Sequence, residues 1–175
     1  MNPIQLCELP QQALLNKYKL QGVYTDCYSV VVPRAVSYSE YVEAFYTTSL
    51  FKVERFILAT LVAKPSSDLQ VRQLASGEAE TFSAWRVEGK AENQLLLCDF
   101  LGRTRSWLMV EANEKSNSAS TRLYFGSAVV PKLNAKTGQA SYGFAFYALQ
   151  GFHGLYSRAL LRSAVSRLNA GVTNR

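Results

Sequence analysis

The sequence predicts a single α+β domain in which an antiparallel β-meander curves around a long C-terminal helix. Apolar residues recur at helical spacing after one β-rich segment in the first third of the chain. Between residues 80 and 130 the period changes to two, with turn residues between segments, and the last segment returns to a helical period. The 175 residues, 48% hydrophobic and 18% charged, suit one globular domain and exclude a disordered chain or a coiled coil.

The first third begins with an arm and a strand. Residues 1–22 are polar, contain Pro3 and Pro10, and predict an irregular N-terminal arm within the single domain 1–175. Residues 25–32 are rich in β-branched and aromatic side chains and stop at Pro33, which predicts the first strand.

Three helices are predicted next. Ser37 or Ser39 can cap the first, with Glu40 in its first turn. A second is expected over about 50–63, and it ends before a proline. The third starts at Ser67-Asp68 and is short, with Gly77 past its end.

The meander is predicted from four alternating segments, near 80–88, 93–101, 104–112 and 120–130. Turns are expected at Gly89-Lys90 and Gly102-Arg103, and a polar loop over residues 113–118. With the first strand this makes about five strands. Residues 143–169 then predict a long helix, with Gly151 or Gly154 as points where it could break.

Composition excludes several chemistries. His153 is the one histidine, so a multi-histidine metal site cannot form, and no motif supplies it with a catalytic partner. Cys7, Cys27 and Cys98 form no Cys-x-x-Cys pair, which argues against zinc-ribbon and thioredoxin-like sites and favours reduced thiols. The chain shows no secretory signal and no apolar run long enough to span a membrane. We therefore expect a cytoplasmic protein with no metal, nucleotide or other cofactor.

Charge is unevenly distributed along the chain. Residues 115–175 contain eight Lys and Arg residues and no acidic residue, although the whole chain has a net charge of +6. This pattern predicts either an acidic partner or simple solubility. Nucleic acid is not expected, because no RNA-binding signature or zinc-finger spacing is present.

Several segments carry a resemblance to a known superfamily. They are Tyr24-Thr25-Asp26-Cys27-Tyr28, Trp85-Arg86-Val87-Glu88, Leu95-Leu96-Leu97-Cys98-Asp99, Trp107-Leu108-Met109-Val110-Glu111 and the closing helix from Phe152 to Leu168. Over about residues 23–168 the chain resembles the START/polyketide-cyclase-like (helix-grip, SRPBCC) superfamily, and within it a bacterial family of unknown function. The resemblance implies a ligand cavity between a curved sheet and the last helix. Members of that superfamily bind lipids, hormones or polyketides, and a few are cyclases.

The strands supply the candidate site. Alternation places Arg105, Trp107 and Met109 on one face of their strand. We predict that these residues line an apolar cavity together with Trp85 and Tyr124, with Arg105 as an anchor for an anion or carbonyl. The alternative is plain core for both tryptophans, with Arg105 paired across strands to Asp99 or Glu111.

Three functions remain open from the sequence. The leading one is a non-enzymatic protein that binds a small apolar or amphipathic ligand. The second is a cyclase or isomerase using the same cavity through Arg105 and an acid such as Asp99 or Glu111. The third is an interaction module or homodimer whose basic C-terminal helix meets an acidic partner. Aromatic residues between positions 142 and 156 suit a dimer interface as well as a core. Asp26, beside Thr25, is predicted to form a local turn rather than to act as a base.

Overall fold

The computed structural model describes residues 2–52, 67–112, 119–133, 140–141 and 144–173, with the side chains of 132–153 and 171–173 left out. These residues form an α+β fold with an open, seven-stranded antiparallel sheet and a long C-terminal helix. The strands are β1 (Gln5–Leu6), β2 (Tyr24–Val32), β3 (Thr81–Phe82), β4 (Trp85–Ala91), β5 (Gln94–Asp99), β6 (Thr104–Ala112) and β7 (Thr121–Val129). The helices are α1 (Asn16–Leu20), α2 (Tyr38–Tyr46), α3 (Asp68–Ser76) and α4 (Phe144–Thr173).

The sheet has the strand order β1-β2-β7-β6-β5-β4-β3. Strands β4 to β7 form the predicted meander, and β2 pairs along its whole length with β7, the last meander strand. A separate pair of short strands, β8 (Lys132–Leu133) and β9 (Ala140–Ser141), follows the meander.

Two helices begin where the sequence places their caps. Ser37 and Glu40 form a capping box at the start of α2, and Ser67 and Gln70 form another at the start of α3. Gly77 ends α3 in the left-handed conformation with a φ of 85°, which glycine adopts without strain. The helix predicted over 50–63 lies outside the described residues apart from residues 50–52, which are helical.

The two faces of the sheet are covered by different parts of the chain. Helices α2, α3 and α4 cover one face, which we call the helix face, and enclose a core rich in aromatic residues. The N-terminal arm covers the opposite face, the arm face, through Ala13, Leu15 and Tyr18. Each inner strand therefore buries both sets of alternating side chains, so apolar residues occur at successive positions such as Leu95, Leu96 and Leu97.

Several predictions need correction. The arm is not simply irregular, because it contributes β1 and α1 and forms half of a core. Strand β4 continues through Gly89-Lys90 to Ala91, so the expected turn at that dipeptide is wrong. A bulge between Val87 and Gly89 shifts the register of β4. The sheet has seven strands rather than five, and α4 runs unbroken past Gly151 and Gly154.

Within the described part of the chain, no helix is both long and apolar enough to cross a membrane.

Candidate functional site

A row of polar side chains crosses the helix face between apolar neighbours. Asp26 on β2 pairs in register with Ser127 on β7, which pairs with Ser106 on β6. These three residues are buried, with exposed fractions of 8%, 2% and 7%. Alternation from Tyr28 and Leu108, both in the helix-face core, places them on that face. We call Asp26, Ser127 and Ser106 the polar row.

Hydrogen bonds fix the orientation of the polar row. The Ser127 hydroxyl and backbone N–H both donate to Asp26 Oδ1, at 2.6 Å and 3.0 Å. The hydroxyls of Ser106 and Tyr46 are 3.0 Å apart, which joins the row to helix α2. Asp26 therefore bridges two strands through Ser127, and the prediction that it forms only a local turn is wrong.

Two further polar groups are buried on the helix side of the sheet. The Trp85 ring packs against the helix-face core. Two residues further along β4, Val87 pairs with Leu97 on β5, and Leu97 pairs with Ser106 on β6. Among the described residues, the indole N–H of Trp85 and the hydroxyl of Ser157 are buried without a hydrogen-bond partner. Leaving such a group unsatisfied costs about 1–3 kcal/mol, so each is a site where a bound group would be stabilised.

Ser157 reaches the helix face from α4. Its neighbour Arg158 places its guanidinium 5.5 Å from the centre of the Tyr28 ring. One turn earlier, a Cβ built on Gly154 would lie 3.0 Å from the Tyr28 hydroxyl. Gly154 and Arg158, which flank Ser157 on α4, therefore lie at Tyr28, and Tyr28 shares a face of β2 with Asp26.

The structure separates the five predicted site residues. Trp85 alone lies on the helix face, whereas Trp107, Met109 and Tyr124 belong to the core beneath the N-terminal arm. Arg105 shares their face of β6, as the sequence predicts. The prediction that Trp107 points into the space between the sheet and the C-terminal helix is therefore wrong. Its neighbours Ser106 and Leu108 face that space instead.

The polar groups of Trp107 and Tyr124 on the arm face have hydrogen-bond partners on the neighbouring strands. The Trp107 indole N–H donates to Gln94 Oε1 at 2.9 Å, and the same oxygen accepts the backbone N–H of Leu14 at 2.9 Å. The Tyr124 hydroxyl donates to Glu111 at 2.8 Å. Burial and this carboxylate raise the pKa of Tyr124.

Arg105 is part of a buried charged cluster under the arm. Its Nε lies 2.8 Å from Glu88 and donates to the Tyr18 hydroxyl at 2.6 Å, so its predicted pairing with Asp99 or Glu111 is wrong. Lys17 also pairs with Glu88, at 2.6 Å. Burial acts to raise the pKa of Glu88, but hydrogen bonds from Lys17 and Tyr18 and the Arg105 charge outweigh it, so the pKa is lowered. Burial and the Glu88 hydrogen bond raise the pKa of Tyr18 to about 12.

Apart from Asp26, the polar row has no signal in the sequence that would identify its members as site residues. Ser106 and Ser127 are small, and an isolated serine in a strand carries no chemical signal. The one sequence signal is strand alternation, because adjacent residues of a strand face opposite sides of the sheet. If Trp107 faces the arm, Ser106 must face the helices. Alternation alone could not decide which face was which.

No group of metal-ligating side chains occurs among the residues that the structure describes. Comparisons with family models, curated proteins and solved structures found no match to this chain.

Proposed function

We propose that this chain is a small-molecule-binding protein of helix-grip type, whose ligand lies on the helix face beside the polar row. The observation that carries the proposal is that two groups, Trp85 N–H and Ser157 O–H, are buried on the helix side of the sheet without a hydrogen-bond partner. A ligand that reaches both groups supplies the missing hydrogen bonds.

The order of elements supports the helix-grip assignment. A strand, helices, an antiparallel meander and a long helix follow one another, and the first long strand, β2, pairs with the last meander strand, β7. Membership of the START/polyketide-cyclase-like superfamily stays a prediction, because its support is this order and the sequence segments quoted above.

The chemistry of the groups defines the ligand class. An indole N–H can only donate, so the ligand offers an acceptor, such as a carbonyl, to Trp85. The Asp26 carboxyl accepts hydrogen bonds when ionised, so a ligand hydroxyl suits that end of the row. The aromatic and aliphatic surroundings favour an apolar body. We therefore propose an amphipathic molecule with hydroxyl and carbonyl groups on an apolar skeleton.

A matched pair of variants tests the proposal. Trp85→Phe removes an indole N–H that has no partner, and Trp107→Phe removes one that donates to Gln94 on the arm face. The probe is 1-anilinonaphthalene-8-sulfonate, whose sulfonate can accept the Trp85 hydrogen bond. We expect Trp85→Phe to weaken probe binding roughly 3- to 10-fold, the size of one hydrogen bond, with little change in thermal midpoint.

Trp107→Phe should lower the thermal midpoint and leave probe affinity unchanged. Wild-type protein that binds no probe, or equal affinity in wild type and Trp85→Phe, would contradict the proposal. Native mass spectrometry of the purified protein then seeks a co-purified ligand of the proposed class.

A buried carboxyl on the helix face favours one second candidate, an enzyme of cyclase or isomerase type. Asp26 would then be the acid or base, since Glu111 bonds to Tyr124 on the arm face. Asp99 accepts two backbone N–H groups in the β5–β6 turn, at 2.6 Å and 2.9 Å. The enzyme is favoured over the binding protein if the wild type converts a bound ligand and Asp26→Asn binds the same ligand without converting it.

The acidic partner stays a prediction supported by exposed arginines on α4. Arg158, Arg162 and Arg167 are exposed, on a helix with no acidic residue. Heparin binding should weaken as salt rises toward physiological strength, where the Debye length is about 8 Å. Binding that is absent at low salt or indifferent to salt would remove this prediction.

A further inference from the structure

A cleft of about 570 Å³ opens between the N-terminal arm and β2, where β1 ends. Residues 6–9 of the arm and residues 24–28 of β2 contribute to its walls, and Lys19 lies at its side. Two cysteines, Cys7 and Cys27, are among its lining residues. They are 20 positions apart in the sequence, and the ligand site proposed above does not use them.

The strand pairing sets the two cysteines opposite each other. Gln5 pairs with Ser29 and Leu6 with Tyr28, and the next step of this register brings Cys7 opposite Cys27. The Cys7 N–H donates to the Cys27 carbonyl at 2.9 Å. Cα atoms of such hydrogen-bonded pairs are about 5.5 Å apart, within the range that disulfides span. The two Sγ atoms are 3.4 Å apart, and both cysteines are free thiols.

The two thiols differ in access and acidity. Cys7 is half-buried and Cys27 is buried. The contact with the Cys27 thiol, assisted by Ser29 and by the charge of Arg122, lowers the pKa of Cys7. The same contact and burial raise the pKa of Cys27. Cys7 is therefore the sulfur that ionises first and that a reagent in the cleft can reach.

We propose that Cys7 and Cys27 form a redox-active dithiol that exchanges with low-molecular-weight disulfides and closes to an intramolecular disulfide. The Cys7 thiolate attacks one sulfur of a disulfide such as glutathione disulfide, and one glutathione leaves as its thiolate. Cys27 loses its proton to solvent and attacks the Cys7 sulfur of the mixed disulfide, and the second glutathione leaves. The protein loses two electrons and two protons, and glutathione disulfide is reduced to two glutathione molecules.

The disulfide would anchor the arm to the sheet. Closing it requires the Sγ atoms to approach from 3.4 Å to the bonded distance of about 2.05 Å. In the reduced chain, packing, hydrogen bonds and ion pairs attach the arm to the arm-face core. In the oxidised chain, the disulfide would also link the arm covalently to β2. Oxidation is therefore expected to stabilise the fold and to leave the helix face unchanged.

The test equilibrates reduced protein with a series of glutathione disulfide to glutathione ratios. Free thiols are then blocked with iodoacetamide, and intact and peptide masses are measured. We expect a product that carries two fewer carbamidomethyl groups than the reduced protein, with Cys7 and Cys27 linked, and a thermal midpoint higher by about 5 °C. Cys98 is the internal control, because burial raises its pKa and it should keep its thiol.

Single variants identify the attacking sulfur. Cys27→Ala should stop at a mixed disulfide with one glutathione on Cys7. Cys7→Ser should acquire no glutathione on Cys27, because that thiol is buried. Circular dichroism checks that each variant is folded, and Cys27→Ser replaces Cys27→Ala if the alanine variant is not.

Absence of the Cys7–Cys27 link at every ratio, including glutathione disulfide alone, would overturn the inference. A mixed disulfide on Cys7 that persists in the wild-type chain would overturn it equally. The outcome is independent of the proposed ligand function, because Trp85→Phe should oxidise like the wild type and Cys7→Ser should bind the anilinonaphthalene probe like the wild type.

Discussion

The two faces of the sheet bury similar kinds of residues but treat their polar groups differently. On the arm face, the polar atoms of Gln94, Arg105 and Trp107 have partners, several of them supplied by the N-terminal arm. On the helix face, the buried groups that the structure describes without a hydrogen-bond partner include Trp85 N–H and Ser157 O–H. A face whose buried polar groups are hydrogen-bonded within the chain is a structural core. On a face where buried polar groups lack partners, hydrogen bonds from a ligand contribute most to its binding free energy.

The comparison also explains why the largest side chains are poor guides to the site. Trp107 is fully buried and packs 6.1 Å from Tyr124, ring centre to ring centre, under the arm. Such aromatic pairs stabilise cores, and nothing about their size marks a ligand site. On the helix face, Trp85 is a site candidate because its N–H has no partner, and the other candidates are serines and an aspartate.

The largest expected effect is on the arm face. Trp107→Ala leaves a cavity beneath the arm and takes a hydrogen bond from Gln94, so we expect a loss of about 3–5 kcal/mol in the free energy of unfolding. Urea unfolding followed by circular dichroism measures it, with Trp107→Phe as the milder control. A loss below about 1 kcal/mol would show that the core beneath the arm contributes little to stability, and would contradict the description of the arm face as a structural core.

Glu88 tests the charged cluster under the arm. Glu88→Gln removes the charge that Arg105 and Lys17 face, and we expect a loss of about 2 kcal/mol at pH 7, the size of a charge-assisted hydrogen bond. Because the pKa of Glu88 is lowered in the folded state, its contribution is present above its ordinary pKa of about 4.3 and is lost as pH falls through the folded value.

The stability difference between wild type and Glu88→Gln should therefore be constant above about pH 5 and should shrink below about pH 4. Thermal unfolding across that range measures it. A difference that grows as the pH falls would mean that Glu88 is not the ionised partner of Arg105.

The smallest effect expected is at Gly126, which lies beneath Leu15 of the arm. A Cβ there would lie 2.8 Å from the Asp26 carbonyl oxygen and 3.1 Å from Leu15 Cδ2. Gly126→Ala should therefore cost about 1–2 kcal/mol by overpacking. Gly89→Ala is the matched control, since its nearest atom, Leu14 Cδ1, lies at 3.5 Å. Equal stability of the two variants would show that the arm accommodates the added methyl group at position 126 without a measurable loss of stability.

Local signals predicted the elements well. The strand before Pro33, the caps at Ser37 and Ser67, and three of the meander strands were confirmed to within a few residues. These features depend on side chains that bond their own backbone or on apolar, β-rich segments bounded by turn residues. The turn expected at Gly89-Lys90 was wrong, because a bulge and pairing with β5 carried β4 further.

The sequence by itself determined the α+β class, the element order and which residues share a face of each strand. Only the tertiary structure decided which face meets the helices, that the N-terminal arm covers the other, and that Cys7 lies against Cys27. The physical reason is that alternation has a period of two and is unchanged when both faces are buried. Assigning the faces requires contacts between segments far apart in the chain, such as Leu15 with Gly126, which no local pattern encodes.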